Sequence, residues 1–413
     1  MKINLSNQLF QAALPVLNTI ESHGYEAYFV GGCVRDTLLD LPIHDIDIAS
    51  NATPDEIQSI FKHTFDVGKE HGTIVVLYQD IPYEVTTFRT EGAYSDFRRP
   101  DEVHFVRNLD EDTLRRDFTI NALAFDQHGQ LYDYHQGLKD LNAKLIRAVG
   151  TANERFNEDA LRMLRAIRFS SQLGFKIEEQ TFNALQHLAP LIENVSIERI
   201  RIEISKFFQG DFFHLTGHLL PLTGLCEYIE PFGGINIEQG IKGLETSLEP
   251  LIKQGIPREE SFVWTVFLYQ ADSRNEHLNK SLLQTWTHSK QFIRDVQASM
   301  SLLKAIDKQD LDARTVYRYP NYIIERIYTY LTAHQHPLAE QLMTTYQALP
   351  IKQRSELQID GRRIMLTLAM KKGGPLVGKL LDELEELVVT KQLDNREEAL
   401  VTYVKEHHDV TNT

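Results

Sequence analysis

The segment IHDIDIA, residues 43–49, alternates polar and apolar positions with the period of a β-strand, setting Ile43, Asp45 and Asp47 on one side and His44, Ile46 and Ile48 on the other. Just upstream, YEAYFV predicts a strand over 26–30 that stops at Gly31-Gly32 and gives way to a helix in CVRDTLLD. Residues Ser6 to His23 carry a helical period that Pro15 should interrupt. Thr53-Pro54-Asp55-Glu56 has the form of a capping box with proline at the first helical position, so a helix starts there. TIVVLY and YEVTTFR then predict a hairpin joined by a short turn at Gln79 to Pro82. Residues 90–103 have no period and mix glycine, proline, aromatic and arginine residues, which predicts a loop, and loops of this length are usually functional or disordered. The strand ALAF and the segments LYDYHQGLKDL and LIRAVG complete a mixed α/β head ending near Gly150.

From Asn153 onward the period is helical. NEDALRMLRAIRFSSQLGF predicts one amphipathic helix with Asn157 as N-cap, acids in its first turn and arginines further on, complementing the helix dipole. SIERIRIEISKFFQG predicts another, with a capping serine and isoleucines spaced for core packing, and no chemistry is assigned to it. Beyond Gly210 no strand pattern stands out; Trp264 and Trp286 read as core or partner contacts. The fold class is therefore α+β, a mixed-sheet head followed by an all-helical remainder.

With 413 residues, two to four domains are expected. No apolar run approaches membrane-spanning length and MKINLSNQLFQ is no signal peptide, so a cytoplasmic protein with no membrane partner is expected. Cys33 and Cys226 are far apart and form no CxxC, which excludes a disulfide framework and a cysteine zinc site. A net charge of -15 argues against a protein that coats nucleic acid indiscriminately, but not against a selective RNA enzyme whose basic residues share one groove.

The candidate chemistry starts at Asp45 and Asp47. On one strand face their Cα atoms would lie roughly 6 to 7 Å apart, close enough to hold one or two hard divalent cations, with Mg²⁺ as the expected cofactor. Gly31-Gly32 at a strand-to-helix turn would let backbone approach an anion, with Arg35 on the helix behind it. Each feature has a bland alternative, a tight turn or a surface acid pair. Glu84 is either a third carboxylate beside the pair or a solvent-facing strand residue.

The order GGCVRD, HDIDIA, RRDFTINA and EDALRMLR resembles the bacterial tRNA nucleotidyltransferase and poly(A) polymerase branch of the nucleotidyltransferase superfamily, and within it the bacterial-type (class II) CCA-adding enzymes. The resemblance implies a nucleotidyltransferase head over 1–150, a helical neck over 151–210 that recognises the base, a body over 211–305 and a tail over 306–413 that binds tRNA. It implies metal binding and catalysis at Asp45 and Asp47, and nucleotide binding at Gly32, Arg35, Arg116, Asp159, Arg162, Arg165 and Arg168. The substrates implied are CTP, ATP and the 3′ end of tRNA, with pyrophosphate released. It also implies that the loop at 90–103 is a functional element. Asp159 and Arg162 would read the base without a template, because cytosine and adenine both present an amino donor beside a ring-nitrogen acceptor, whereas uracil and guanine reverse that order.

Between Ile351 and Lys379 lie Lys352, Arg354, Arg362, Arg363, Lys371, Lys372 and Lys379 against Glu356 and Asp360, and Pro375 sits at a helix N1. Such a basic corner would hold an RNA backbone, or it is a solvated face. A poly(A) polymerase or an enzyme adding only A or only C stays open as a rival, as does an RNA-binding protein on an inactive transferase head. A homodimer is compatible with the sequence, which does not fix the oligomeric state.

Overall fold

Helix α1 (Gln8–Ser22) runs through Pro15 without the expected interruption. A proline inside a helix costs about 3 kcal/mol. Phe10, Ala13, Val16, Leu17 and Ile20 are all fully buried on one face of α1, and each large apolar side chain contributes roughly 1.5–3 kcal/mol on burial, so packing outweighs the break. Phe10 meets Phe29 and Phe125 at ring distances of 4.9 and 5.2 Å, which ties α1 to the sheet beneath it.

The computed structural model describes residues 1–92, 102–271, 276–370 and 372–407. It contains two compact units, Met1–Glu245 and Thr246–Thr413.

In the first unit, β1 (Ala27–Val30), α2 (Gly32–Leu38), β2 (Asp47–Ser50), α3 (Pro54–Ile60), β3 (Thr64–Gly68), β4 (Thr73–Tyr78) and β5 (Ile81–Thr87) follow in order. Strand β2 is shorter than the alternation predicts and Asp45 lies ahead of it. Val30, the last residue of β1, pairs with Asp47 before Gly31 turns into α2, so nothing on that side pairs with residues 43–46. On the other side β5 runs parallel with Glu84 opposite Asp47, a register that would set Pro82, which has no N–H, opposite Asp45. The β4–β5 turn is tighter than expected: Ile81 and Pro82 already pair with Tyr78 and Leu77, and Gln79 and Asp80 take the left-handed φ of 50° and 62° that a two-residue hairpin turn requires. The capping box at Thr53 and Glu56 forms as its residues require.

Both ends of the expected loop are strands, β6 (Arg89–Glu91) and β7 (Val103–Phe105), paired antiparallel. Residues 93–101 between them lie outside the described residues. Then come α4 (Leu109–Leu114), a 3-10 turn at Thr119–Asn121, β8 (Leu123–Phe125), β9 (Leu131–Asp133), α5 (Gly137–Asn142) and β10 (Leu145–Ile146). The main sheet is mixed, in the order β3-β4-β5-β2-β1-β8-β9, with β2–β5 parallel and the other pairs antiparallel. A Cβ on Gly137 would fall 2.2 Å from the Thr119 carbonyl, so only glycine lets α5 close on the turn that carries Asn121.

The single helix predicted from Asn157 is two helices, α6 (Ala152–Glu158) and α7 (Leu161–Leu173). Asn157 lies inside α6 and is not a cap. The break falls at Asp159, whose backbone is extended and whose Oδ1 accepts from the Leu161 N–H at 3.1 Å, a local bond that competes with helix continuation. Next are β11 (Lys176–Ile177), parallel to β10, then α8 (Glu179–Leu188), α9 (Ile197–Phe208), α10 (Phe213–Thr216) and α11 (Leu219–Leu222). Ser196 stands at the N-cap of α9 without a side-chain cap bond. Helix α12 (Ile237–Lys253) carries the chain into the second unit.

The described part of the second unit is helical: α13 (Glu260–Gln270), α14 (Glu276–Thr285), α15 (Lys290–Asp307), α16 (Ala313–Tyr317), α17 (Asn321–Ala333), α18 (Ala339–Gln347), α19 (Gly361–Thr367), α20 (Pro375–Val389) and α21 (Glu397–His407). Trp264 and Trp286 are fully buried and meet edge to face at 5.1 Å, so both are core residues. Among the described residues no helix is long and apolar enough to cross a membrane.

Candidate active site

Gly31 adopts φ 75° and ψ -134°, a conformation that a side chain would strain, and this lets the chain leave β1 and enter α2 in one residue. The turn forms one wall of a cavity of about 530 Å³ in the first unit. All nine residues assigned from sequence line it: Gly32, Arg35, Asp45, Asp47, Arg116, Asp159, Arg162, Arg165 and Arg168. They arrive from α2, β2 and the segment before it, the turn after α4, the α6–α7 break, which carries Asp159, and α7, which carries Arg162, Arg165 and Arg168. Arg115, Asp117, Asn121, Phe169, Arg199 and Lys206 also line it, and none of these was singled out from sequence. Eight of the lining residues are Arg or Lys and four are Asp, so this cavity is basic although the chain as a whole is acidic.

At the acidic end, burial pushes the Asp47 carboxyl up to about 6, the charges of Asp45 and Glu84 push it the same way, and Arg116 opposes them. Asp45 and Asp47 both line the cavity at this end, and a pair of hard carboxylate donors suits a hard divalent cation. Among the described residues no group of three or more His, Cys, Asp or Glu side chains is placed to hold a metal ion. That too fits an ion bound by one or two carboxylates and completed by substrate phosphates and water. The neighbouring Cys33 thiol is buried, pushed up to about 12, and inert.

At the basic end Phe169 is a platform for three guanidiniums, with Arg168, Arg35 and Arg165 at 4.0, 5.0 and 5.4 Å from its ring centre. Arg168 pairs with Glu203 at 2.6 Å, and burial lowers it to about 10 against the opposing charge of Glu203. Burial alone would raise Asp117, but the Arg165 charge and the Asn121 hydrogen bond hold it at about 2. Among the described residues, the buried Nε of Arg116 and Nη1 of Arg199 have no hydrogen-bond partner.

Asp159 and Arg162, expected to neighbour one another along one helix, do not pair. The Asp159 Oδ2 accepts from Arg199 Nη2 at 2.7 Å. Arg162 pairs with Glu158 and donates to the carbonyls of Arg155 and Arg115 at 3.0 and 2.8 Å. The cause is the α6–α7 break, which places Asp159 off the helix that carries Arg162. Both still line the cavity.

The basic corner of the second unit is narrower than its composition. Arg354 pairs with Asp382 and Glu385, Arg363 pairs with Glu397 at 2.7 Å, and the Lys352 ammonium donates to the Tyr346, Gln347 and Leu349 carbonyls. Arg362, Lys372 and Lys379 are exposed. Lys371 lies outside the described residues.

Three family models match the chain: the poly A polymerase head domain over residues 27–147, a probable RNA and SrmB-binding site of polymerase A over 174–233, and a putative tRNA nucleotidyltransferase domain 2 over 257–404. The CCA-adding enzyme of Enterococcus faecalis is 44% identical over 411 residues, 98% of each chain. That of Limosilactobacillus reuteri is 42% identical over 409 residues, covering 98% of this chain and 99% of the relative. The crystal structure of the Bacillus stearothermophilus CCA-adding enzyme in complex with CTP superposes with a TM-score of 0.82 at 33% identity, over 97% of this chain and 98% of that one. A mixed-sheet head, an acid pair beside a glycine turn, a cluster of arginines and likeness along nearly the whole length point the same way: the chain belongs to the family of CCA-adding enzymes, the tRNA nucleotidyltransferases.

Proposed function

We propose that this protein completes the 3′ end of tRNA with CCA, taking CTP and ATP in turn, releasing pyrophosphate and using no nucleic-acid template. The observation that carries this reading is the single cavity in which an acid pair, a set of arginines and the Asp159–Arg162 segment converge. Asp45 and Asp47 would hold divalent ions, which we take to be Mg²⁺. When bound, such ions lower the pKa of an attacking 3′-hydroxyl and neutralise the leaving pyrophosphate.

The other residues bind and orient. Arg35 and Arg116 hold the triphosphate beside the Gly31-Gly32 backbone, and Arg165 and Arg168 add positive charge around it. Asp159 and Arg162 read the pairing edge of the base, the carboxylate accepting from the exocyclic amine and the guanidinium donating to the ring nitrogen. Arg199 orients Asp159 by donating to one oxygen of its carboxylate. Residues 1–150 act as head, 151–210 as neck, 211–305 as body and 306–413 as a tail that grips the tRNA, in the cytoplasm.

The test is incubation with tRNA lacking its terminal CCA, with Mg²⁺ and with each triphosphate singly and together, followed by sequencing of the product ends. Ends finishing in CCA are expected. Runs of A, or C alone, would favour the poly(A) polymerase or partial-addition rivals, and no extension at all would favour an RNA-binding protein on an inactive head.

A further inference from the structure

We propose that Asp117 and Asn121 are positioning residues that lock Arg35 of α2 to Arg165 of α7, and so fix the spacing between triphosphate grip and base reading. The inference rests on the nucleotide-adding role proposed above. Arg35 Nη1 donates to Asn121 Oδ1 at 2.8 Å, Asn121 Nδ2 donates to Asp117 Oδ1 at 3.1 Å, and Arg165 Nε donates to Asp117 Oδ2 at 2.8 Å. Four side chains thus form one continuous path between elements that lie 130 positions apart in sequence.

The relay is built to be rigid. Asp117 is 6% exposed and Asn121 7%. The Asp117 Oδ1 also accepts from the Phe118 N–H at 2.8 Å, and Oδ2 also accepts from Arg165 Nη2, so both oxygens are doubly engaged and none of this carboxylate is left to act as a base or ion ligand. The Asn121 carbonyl accepts from Arg116 Nη1 at 3.4 Å, which brings a third cavity arginine onto the same turn. That turn cannot shift outward, because α5 closes on it at Gly137.

The consequence follows from how the ligand is held. A nucleotide is gripped at its phosphates from the head and read at its base from the α6–α7 segment, and small misplacements between two such sites are costly. Without the relay, guanidiniums brought together in one cavity would repel and spread. Affinity and base selection should therefore fall together.

Asn121→Leu, similar in size and without donor or acceptor, breaks the relay, and Asp117→Asn removes its charge. In steady-state addition to tRNA lacking CCA, each is expected to raise KM for CTP and ATP roughly 5- to 150-fold, more than kcat falls, as loss of a buried hydrogen-bond partner predicts. Misincorporation of UTP relative to CTP should rise as well. The double variant is expected to be no worse than Asp117→Asn alone, because both interrupt one path. If Asp117→Asn fails to fold by thermal unfolding, Asn121→Leu carries the test. A KM and a UTP-to-CTP ratio for Asn121→Leu within about twofold of an active wild type, or effects that multiply in the double variant, overturn the inference. If wild type adds no CCA, the functional reading fails by itself, and equilibrium binding of CTP still decides the relay: weaker binding by Asn121→Leu supports it and unchanged binding overturns it.

Discussion

Asp47 and Glu84 are register partners across the parallel β2–β5 pair, so their side chains leave the sheet on the same face. Tyr83 and Val85 on either side of Glu84 are buried on the opposite face, which leaves Glu84 exposed beside the acid pair. Its charge raises the Asp47 carboxyl, after burial and Asp45. Asp45→Asn or Asp47→Asn is expected to abolish nucleotide addition with tRNA affinity nearly unchanged, since RNA is held mainly by basic residues. Glu84→Gln is expected to retain activity but need roughly 10-fold more Mg²⁺ for half-maximal rate, the effect typical of groups behind metal ligands. Superimposable Mg²⁺ titrations would make Glu84 an ordinary strand residue.

A second expectation concerns acid stability. The Arg107 hydrogen bonds hold the Glu56 carboxyl at about 2, against the opposing effect of burial, with the Thr53 N–H adding to Arg107. Its folded pKa lies below its unfolded value of 4.5, so its contribution is fully present above that value and is lost as pH falls toward 2. Glu56→Gln keeps an acceptor for Thr53 and removes only the charge. It is expected to lower stability by about 0.5–1 kcal/mol at pH 7, the range for solvent-screened pairs. Urea unfolding of both chains should show that difference constant down to about pH 4.5 and shrinking below it. A difference that grows on acidification would contradict the assignment.

The elements were legible where one local rule dominated. The capping box at Thr53, the β4–β5 hairpin and the Gly31-Gly32 turn each follow from residue types a few positions apart. What sequence could not show depended on distant partners. Asp45 falls off its strand because β1 ends at Val30, a fact about pairing rather than alternation. The α6–α7 break hides inside a run with continuous helical period, because an Asp159 side chain that accepts from the Leu161 N–H looks no different in sequence from a helical acid. Pro15 misleads in the other direction, since buried contacts outweigh a local preference. On α9 the isoleucine period concealed Arg199, Glu203 and Lys206, yet their spacing of four and three residues sets them on one helix face, and that was a readable signal. Asp117 and Asn121 lay inside a recognised motif, but only their hydrogen bonds to Arg165 and Arg35 give them a role.

In the second unit, the pairing of Arg354 and Arg363 with carboxylates divides the basic corner into structural and available charges. Arg362, Lys372 and Lys379 changed together to Ala are expected to weaken tRNA binding and flatten its salt dependence, by up to about 0.9 in log-log slope for each phosphate no longer neutralised. Arg354→Ala should instead lower stability. Filter binding across a salt series measures the first and thermal unfolding the second. A salt slope equal to wild type in the triple variant would mean that this face is only solvated.

The last expectation tests base reading, through Asp159→Arg combined with Arg162→Asp. In the exchanged site a guanidinium would face the exocyclic group and a carboxylate the ring nitrogen, an order that fits the carbonyl and ring N–H of uracil and guanine. Each mismatched buried partner costs about 1 to 3 kcal/mol, or roughly 5- to 150-fold, enough to reverse a preference. The structure adds a condition. Asp159 is held by Arg199, and Arg162 by Glu158, so the exchange sets like charges against one another at both positions. Absolute rates should therefore drop strongly in the exchanged enzyme, and adding Arg199→Glu, which returns an opposite charge beside position 159, should recover part of them. The relative use of UTP or GTP over CTP and ATP is expected to rise in both variants, whereas each single substitution mainly loses activity. Arg199→Ala alone should loosen selection without inverting it, because the Asp159 carboxylate stays but is no longer oriented. Single-turnover addition with all four triphosphates measures each ratio, and an unchanged preference for C and A in the exchanged enzyme would mean that Asp159 and Arg162 do not read the base.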